Sequence, residues 1–201
     1  MRWDDLFDDL ESQLEQERSA EEDELLAEEE RLRLGRLSLR DRLAALARAE
    51  EGSAPDPVRV LLTTGLVIDV RPRTFGRDWL AGDLHRGVEG DLGSGDQCIL
   101  PLRGVSSLLL DRRQVRQSLG EPGPARGITD RLGLPFVLRD LCRRRSPLEL
   151  HVPEGVLHGT IDRVGRDHFD IALHEPGTPR RESVVTAYRV VAVDRVALVR
   201  V

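Results

Sequence analysis

Lysine and asparagine are both missing from this 201-residue chain, so all 30 of its permanently basic residues are arginine. The lack of lysine excludes Schiff-base chemistry and the lysine of a phosphate-binding P-loop. Aromatic residues are scarce as well, with two Trp, one Tyr and four Phe. A core with so few rings suits small elements packed by Val, Leu and Ile better than a large enzyme. The two cysteines, Cys98 and Cys142, are far apart and match no paired metal-ligand spacing. They read as reduced thiols of a cytoplasmic protein. No apolar run approaches the ~20 residues a membrane helix needs. The opening Met1-Arg2-Trp3-Asp4-Asp5 is acidic where a secretory signal is basic and then apolar. A cytoplasmic chain without membrane contact is therefore expected. Neither G-x-S-x-G nor H-E-x-x-H occurs, nor a phosphate-cradling glycine loop, and the expectation is a non-enzymatic protein without a cofactor.

The net charge of −6 is unevenly placed. Residues 1–57 hold 8 Arg against 18 acids, while residues 58–201 hold 22 Arg against 18. An acidic arm precedes a mildly basic body. In the arm, Trp3, Phe7, Leu10 and Leu14 recur at helical steps with Leu6 beside them, predicting an amphipathic helix over 2–18. Ser19-Ala20-Glu21-Glu22 fits a capping box and predicts a restart there, giving a bent helix or helical hairpin that ends at Gly35. Trp3, Leu6, Phe7 and Leu10 form a candidate partner-binding face, since aromatic anchors rimmed by acids suit a basic groove.

Ser38 caps a further predicted helix to about Glu50, and residues 51–57 read as a loop. From Val58 the period changes to two and β-branched residues appear, which predicts strands. An internal repeat is legible. Phe75-Gly76-Arg77-Asp78-Trp79-Leu80 returns as Val164-Gly165-Arg166-Asp167-His168-Phe169. Leu62–Val67 aligns with Val152–Leu157, and Ile99–Val105 aligns with Val190–Val196. A helix over 129–145 would precede the second copy. The expected architecture is α+β: an arm (1–37), a first helix-plus-five-strand module (38–110), a connector (111–128) and a second module (129–201). Five short strands hide their edges most economically by closing into a small β-barrel.

Gly65 and Gly155 after the first strands, Gly159, the turns Phe75-Gly76 and Val164-Gly165, and Arg103-Gly104 carry a resemblance to the Sm and Hfq families of RNA-binding proteins. The resemblance implies Sm-like barrels and RNA as a ligand. The chain departs from the pattern in having no Asn to hold a uracil and no recognisable Hfq-type polar grip on an RNA end. The opening residues 1–11 also resemble proteins of GC-rich actinobacteria, some of them labelled transcriptional regulators.

The expected function is that of an adaptor or regulator acting through protein contacts or self-association. The alternative is an RNA-binding or transcription-associated factor in which Arg103, Arg139, Arg143, Arg144 and Arg145 contact phosphates. Helix-end arginines also stabilise a helix through its dipole without any ligand. His151, His158, His168 and His174 lie in the second module, where His158 and His168 could face each other on neighbouring strands. Their spacing favours ordinary strand residues over zinc ligands. Asp78 and Asp167 are expected to make local turn hydrogen bonds.

Overall fold

The computed structural model describes residues 3–48, 55–87, 96–120, 127–178 and 180–201, with side chains for all of these except 3–14, 17, 20, 86 and 87. The chain divides into two compact units, Met1–Ser38 and Leu39–Val201. The first is a single helix, α1 (Trp3–Arg36), of 34 residues. The expected restart at Ser19 does not occur. Ala, Glu, Leu and Arg propagate a helix well, and one interior Ser costs only a few tenths of a kcal/mol, about 0.5. Arg18–Glu22 and Glu30–Arg33 pairs, at 3.7 and 2.6 Å, add support along the exposed surface.

The second unit contains α2 (Leu39–Leu46), α3 (Arg112–Ser118), α4 (Leu134–Arg144) and ten strands. The strands are β1 (Val58–Leu62), β2 (Val67–Phe75), β3 (Trp79–Gly87), β4 (Gln97–Pro101) and β5 (Val105–Leu109), then β6 (Pro147–Val152), β7 (Gly155–Val164), β8 (His168–Leu173), β9 (Ala187–Ala192) and β10 (Leu198–Arg200). All ten form one open antiparallel sheet in the order β5-β1-β2-β3-β4-β10-β6-β7-β8-β9.

This corrects the expectation of two repeated, separately closed Sm-like barrels. The edge of β4 is not curled back onto β5. It pairs with the last strand of the chain, Ile99 opposite Val199 and Cys98 opposite Arg200. On its other side β10 pairs with β6, Val199 opposite Leu150. An edge strand needs only some partner for its backbone groups, and here each stretch of strands supplies one to the other.

The seam is buried on both faces. Successive strand residues point to opposite sides, and Cys98 and Leu100 of β4 join Leu198 of β10 in a core with Leu43 and Leu46 of α2. Ile99 and Val199, the residues between, join a second core with Leu134, Leu138 and Leu141 of α4, Leu150 and Phe169. Trp79 and Leu80 of β3 divide between the two cores in the same way. One sheet thus carries α2 on one face and α4 on the other.

The helices depart from expectation at their ends. α2 stops at Leu46, and Gln117 of α3 donates to the carbonyls of Ala45, Leu46 and Arg48 at 3.1–3.5 Å, satisfying orphan acceptors at its C-terminus. The segment read as connector contains α3, capped by Asp111, whose side chain accepts from Gln114 N–H in a capping box. The helix expected over 129–145 splits into a 3₁₀ turn (Ile128–Arg131) and α4, because Pro135 belongs in a first turn and cannot sit further in. The predicted loop over 51–57 lies outside the described residues up to Ala54.

Candidate functional site

At the end of the seam four turns meet around an open cleft of about 510 Å³. The β2–β3 turn brings Arg77 and Asp78, and the 3₁₀ turn Leu102–Gly104 brings Arg103. The β7–β8 turn brings Arg166, Asp167 and His168, and the 3₁₀ turn Val193–Arg195 brings Asp194. The start of α4, Leu134 and Pro135, forms the floor.

Each wall is held by specific bonds. In the β2–β3 turn Gly76 N–H donates to Trp79 O at 2.8 Å, and the indole lies so close that a Cβ on Gly76 would sit 2.2 Å from Nε1. Only Gly fits there. Arg77 N–H and Trp79 Nε1–H both donate to Leu132 O, at 2.9 and 3.0 Å, tying the turn to the segment before α4. Asp78 accepts from Leu134 N–H at 2.8 Å. A carboxylate there satisfies an orphan donor and complements the helix dipole, and Gly133 at the N-cap has no side chain to do so. From α2, Arg40 donates to Gly76 O at 2.7 Å and pairs with Asp130 at 2.6 Å. Across the cleft, Gly165 N–H donates to His168 O and Val193 N–H to Asp167 O, both at 2.8 Å. The His168 ring covers Gly165, and its Nδ1 lies 2.8 Å from Asp167. That hydrogen bond, the largest influence, holds the Asp167 carboxyl below its ordinary value.

The expected local turn role is therefore corrected for Asp78 but not for Asp167. Asp78 reaches a helix 56 residues away, and Asp167 binds the ring beside it. Among the described residues Arg103 and Arg166 are exposed and make no ion pair, whereas Arg77 lies 3.8 Å from Asp78. This leaves two guanidiniums available to a ligand and a third loosely held.

Of the arginines singled out from sequence, Arg103 lies in the cleft and Arg139 reaches its rim, donating to Gly165 O at 3.3 Å. The remaining three are not brought to it. Arg143 and Arg144 both bind Asp140 on their own helix. Desolvation opposes ionisation of Asp140, but the two arginine bonds outweigh it and hold its carboxyl below the ordinary value. Arg145 closes α4 in the left-handed conformation, φ 53°, its N–H donated to Cys142 O at 3.1 Å. The arginine run ends a helix. Sequence reading passed over Arg77 and Arg166, although both stand beside the glycines of the turns it had aligned. The candidate face Trp3, Leu6, Phe7 and Leu10 lies on α1, with its side chains outside the described residues.

His151, His158 and His168 lie on β6, β7 and β8, and His174 follows β8. His158 and His168 do not face each other. Gly159 pairs with Leu173 at one end of the β7–β8 ladder, and Val164 with Phe169 at the other. His151 binds Glu149 at 2.7 Å, with Arg200 of β10 on the same carboxylate oxygen at 2.8 Å, and Arg200 also pairs with Asp96. His174 is buried against Thr160 at 2.9 Å. Among the described residues no cluster of three or more His, Cys, Asp or Glu is arranged to hold a metal ion. No described helix is long and apolar enough to cross a membrane. Burial pushes the Cys98 thiol up to about 12, which leaves it unreactive at neutral pH.

Comparison of the chain with protein-family models, with curated proteins and with solved structures finds no significant match.

Proposed function

We propose that the chain is a non-enzymatic binding protein that holds single-stranded RNA across the seam cleft. The observation that carries this reading is the convergence of Arg77, Arg103 and Arg166, from three separate turns, on one open cleft. Guanidinium groups match phosphate oxygens in geometry and charge. The half-exposed His168 ring offers a stacking surface for a base, and Arg139 extends the basic rim. Asp78 and Asp167 are already engaged by protein donors; with Asp194 the lining holds three carboxylates against three arginines, so the reading rests on the exposed guanidinium groups rather than on net charge. Three phosphate contacts on a single strand give a log–log salt slope of about −2.

The test is a titration of a labelled mixed-sequence single-stranded RNA at several salt concentrations. Wild type is expected to show that slope, and Arg103→Ala/Arg166→Ala to bind about tenfold more weakly with a slope smaller by about one unit. Equal binding by the double variant, or none by wild type at low salt, overturns the reading.

A second reading, protein adaptor, is favoured by α1: an acid-rich helix on which Leu25, Leu26 and Leu32 remain 63%, 63% and 56% exposed. Apolar residues on a charged helix suit a basic partner groove. A protein captured from lysate that survives nuclease and is lost from Trp3→Ala/Phe7→Ala supports it, and material that nuclease empties from the bead counts against it.

A further inference from the structure

A second open hollow, of about 390 Å³, lies on β7, β8 and β9. Side chains alternate along a strand, and Phe169, Ile171 and Val191 point into the core with α4. The residues between them face the other way. On that face the β8–β9 ladder runs in rows, His168 opposite Ala192, Asp170 opposite Val190 and Ala172 opposite Tyr188. The first row lines the seam cleft; Asp170, Val190 and Tyr188 line the hollow. Cleft and hollow are therefore successive parts of one strip. At about 3.3 Å per residue, the Tyr188 row stands about 13 Å along it from His168.

Tyr188 is the only tyrosine of the chain and is 60% exposed. On β7, Arg163 pairs with Asp170 in the ladder; its side chain is 85% exposed, and its guanidinium lies 3.6 Å from that carboxylate. Asp162 is taken by Arg180 through bonds of 2.8 and 2.6 Å. The lining as a whole holds three arginines against two carboxylates.

We infer, on the RNA reading of the seam cleft, that this strip carries the single strand onward, with a base stacked on Tyr188 and a phosphate on Arg163. An exposed ring beside a loosely held guanidinium holds unpaired bases and their backbone with little regard to sequence. Val190, between the two aromatic rings, is 70% exposed and offers apolar surface to a further base. The site is thus longer than the cleft, and affinity depends on the length of the RNA.

The test is a titration of the full chain with single-stranded RNAs of about four and about twelve nucleotides. Tyr188→Thr removes the ring and keeps a β-branched residue on the strand, and circular dichroism checks its fold. Tyr188→Phe keeps the ring. Tyr188→Thr is expected to lose about tenfold in affinity for the longer RNA and nothing for the shorter, with Tyr188→Phe close to wild type. Arg163→Ala, at an exposed position, gives a second measure: its log–log salt slope is expected to be smaller by about 0.7 for the longer RNA alone. Arg103→Ala/Arg166→Ala is expected to weaken both lengths and so reports on the cleft separately. If that double variant weakens binding while Tyr188→Thr and Arg163→Ala affect both lengths equally or neither, the strip is overturned and the cleft stands. If wild type binds neither length, both readings fall.

Discussion

Arg40 shows how far one side chain reaches in this protein. From α2 it holds the carbonyl of Gly76, pairs with Asp130 and lies 5.8 Å over the Phe75 ring. Removing it takes a donor from the buried Gly76 carbonyl and one ion pair from the Asp130 carboxylate, so Arg40→Ala is expected to lower stability by about 1.5–3 kcal/mol in urea unfolding. Leucine at this position recovers the packing but not the bonds, and is expected to be no better. Glu149 gives a pH dependence. Desolvation raises its pKa, but bonds from Arg200 and His151 more than offset this and hold it below the ordinary 4.5. A carboxyl depressed in the folded state contributes stability above its unfolded value, and that contribution is lost as pH falls through the folded value. Glu149→Gln should therefore be less stable than wild type at pH 7, with the gap closing below about pH 4.5. A gap that persists unchanged at pH 3 would count against this account. None of this was legible in sequence. Arg40, Asp130, Glu149 and Arg200 carry no motif, and their meaning lies in partners 90 and 51 residues away.

Among the elements, the shortest strand has the largest consequence. β10 has three residues, yet Leu198 lies in one core and Val199 in the other. Gly104 sits against it, and a Cβ added there would lie 2.4 Å from Ala197 O. Backbone cannot yield as a flexible side chain does, so Gly104→Ala is expected to cost at least about 1–3 kcal/mol, measured by chemical denaturation. α3 offers a milder case. Asp111→Ala removes its cap and is expected to cost about 1 kcal/mol. The signal for α3 was present, since Asp111-Arg112-Arg113-Gln114 has the capping spacing, but the polar composition around it read as connector. Strand positions were better marked, because alternation over Val58–Leu62 or Leu148–Val152 follows directly from having one face on a core.

For the whole second unit, the central place of β10 predicts cooperativity. Separate barrels would unfold as separate modules. A sheet in which the last strand joins the two stretches, with Trp79 and Ile99 of the first packed in the core of α4, should unfold in one transition. Deleting residues 198–201 is expected to abolish that transition rather than halve it, as followed by calorimetry. Survival of a cooperative transition from either stretch alone would restore the case for independent modules.

The sequence by itself determined the acidic helix and the change to period two at Val58. It also determined the glycines that the tight turns at Gly76 and Gly165 require, because propensity, alternation and turn chemistry act between near neighbours. Only the tertiary structure decided how the strand edges were satisfied. A backbone edge accepts any partner strand of suitable length, and nothing in the residues of β4 distinguishes closure onto β5 from pairing with β10. The cleft follows from that choice. Arg77, Arg103 and Arg166 stand far apart along the chain, and they share one opening because the seam brings four turns together.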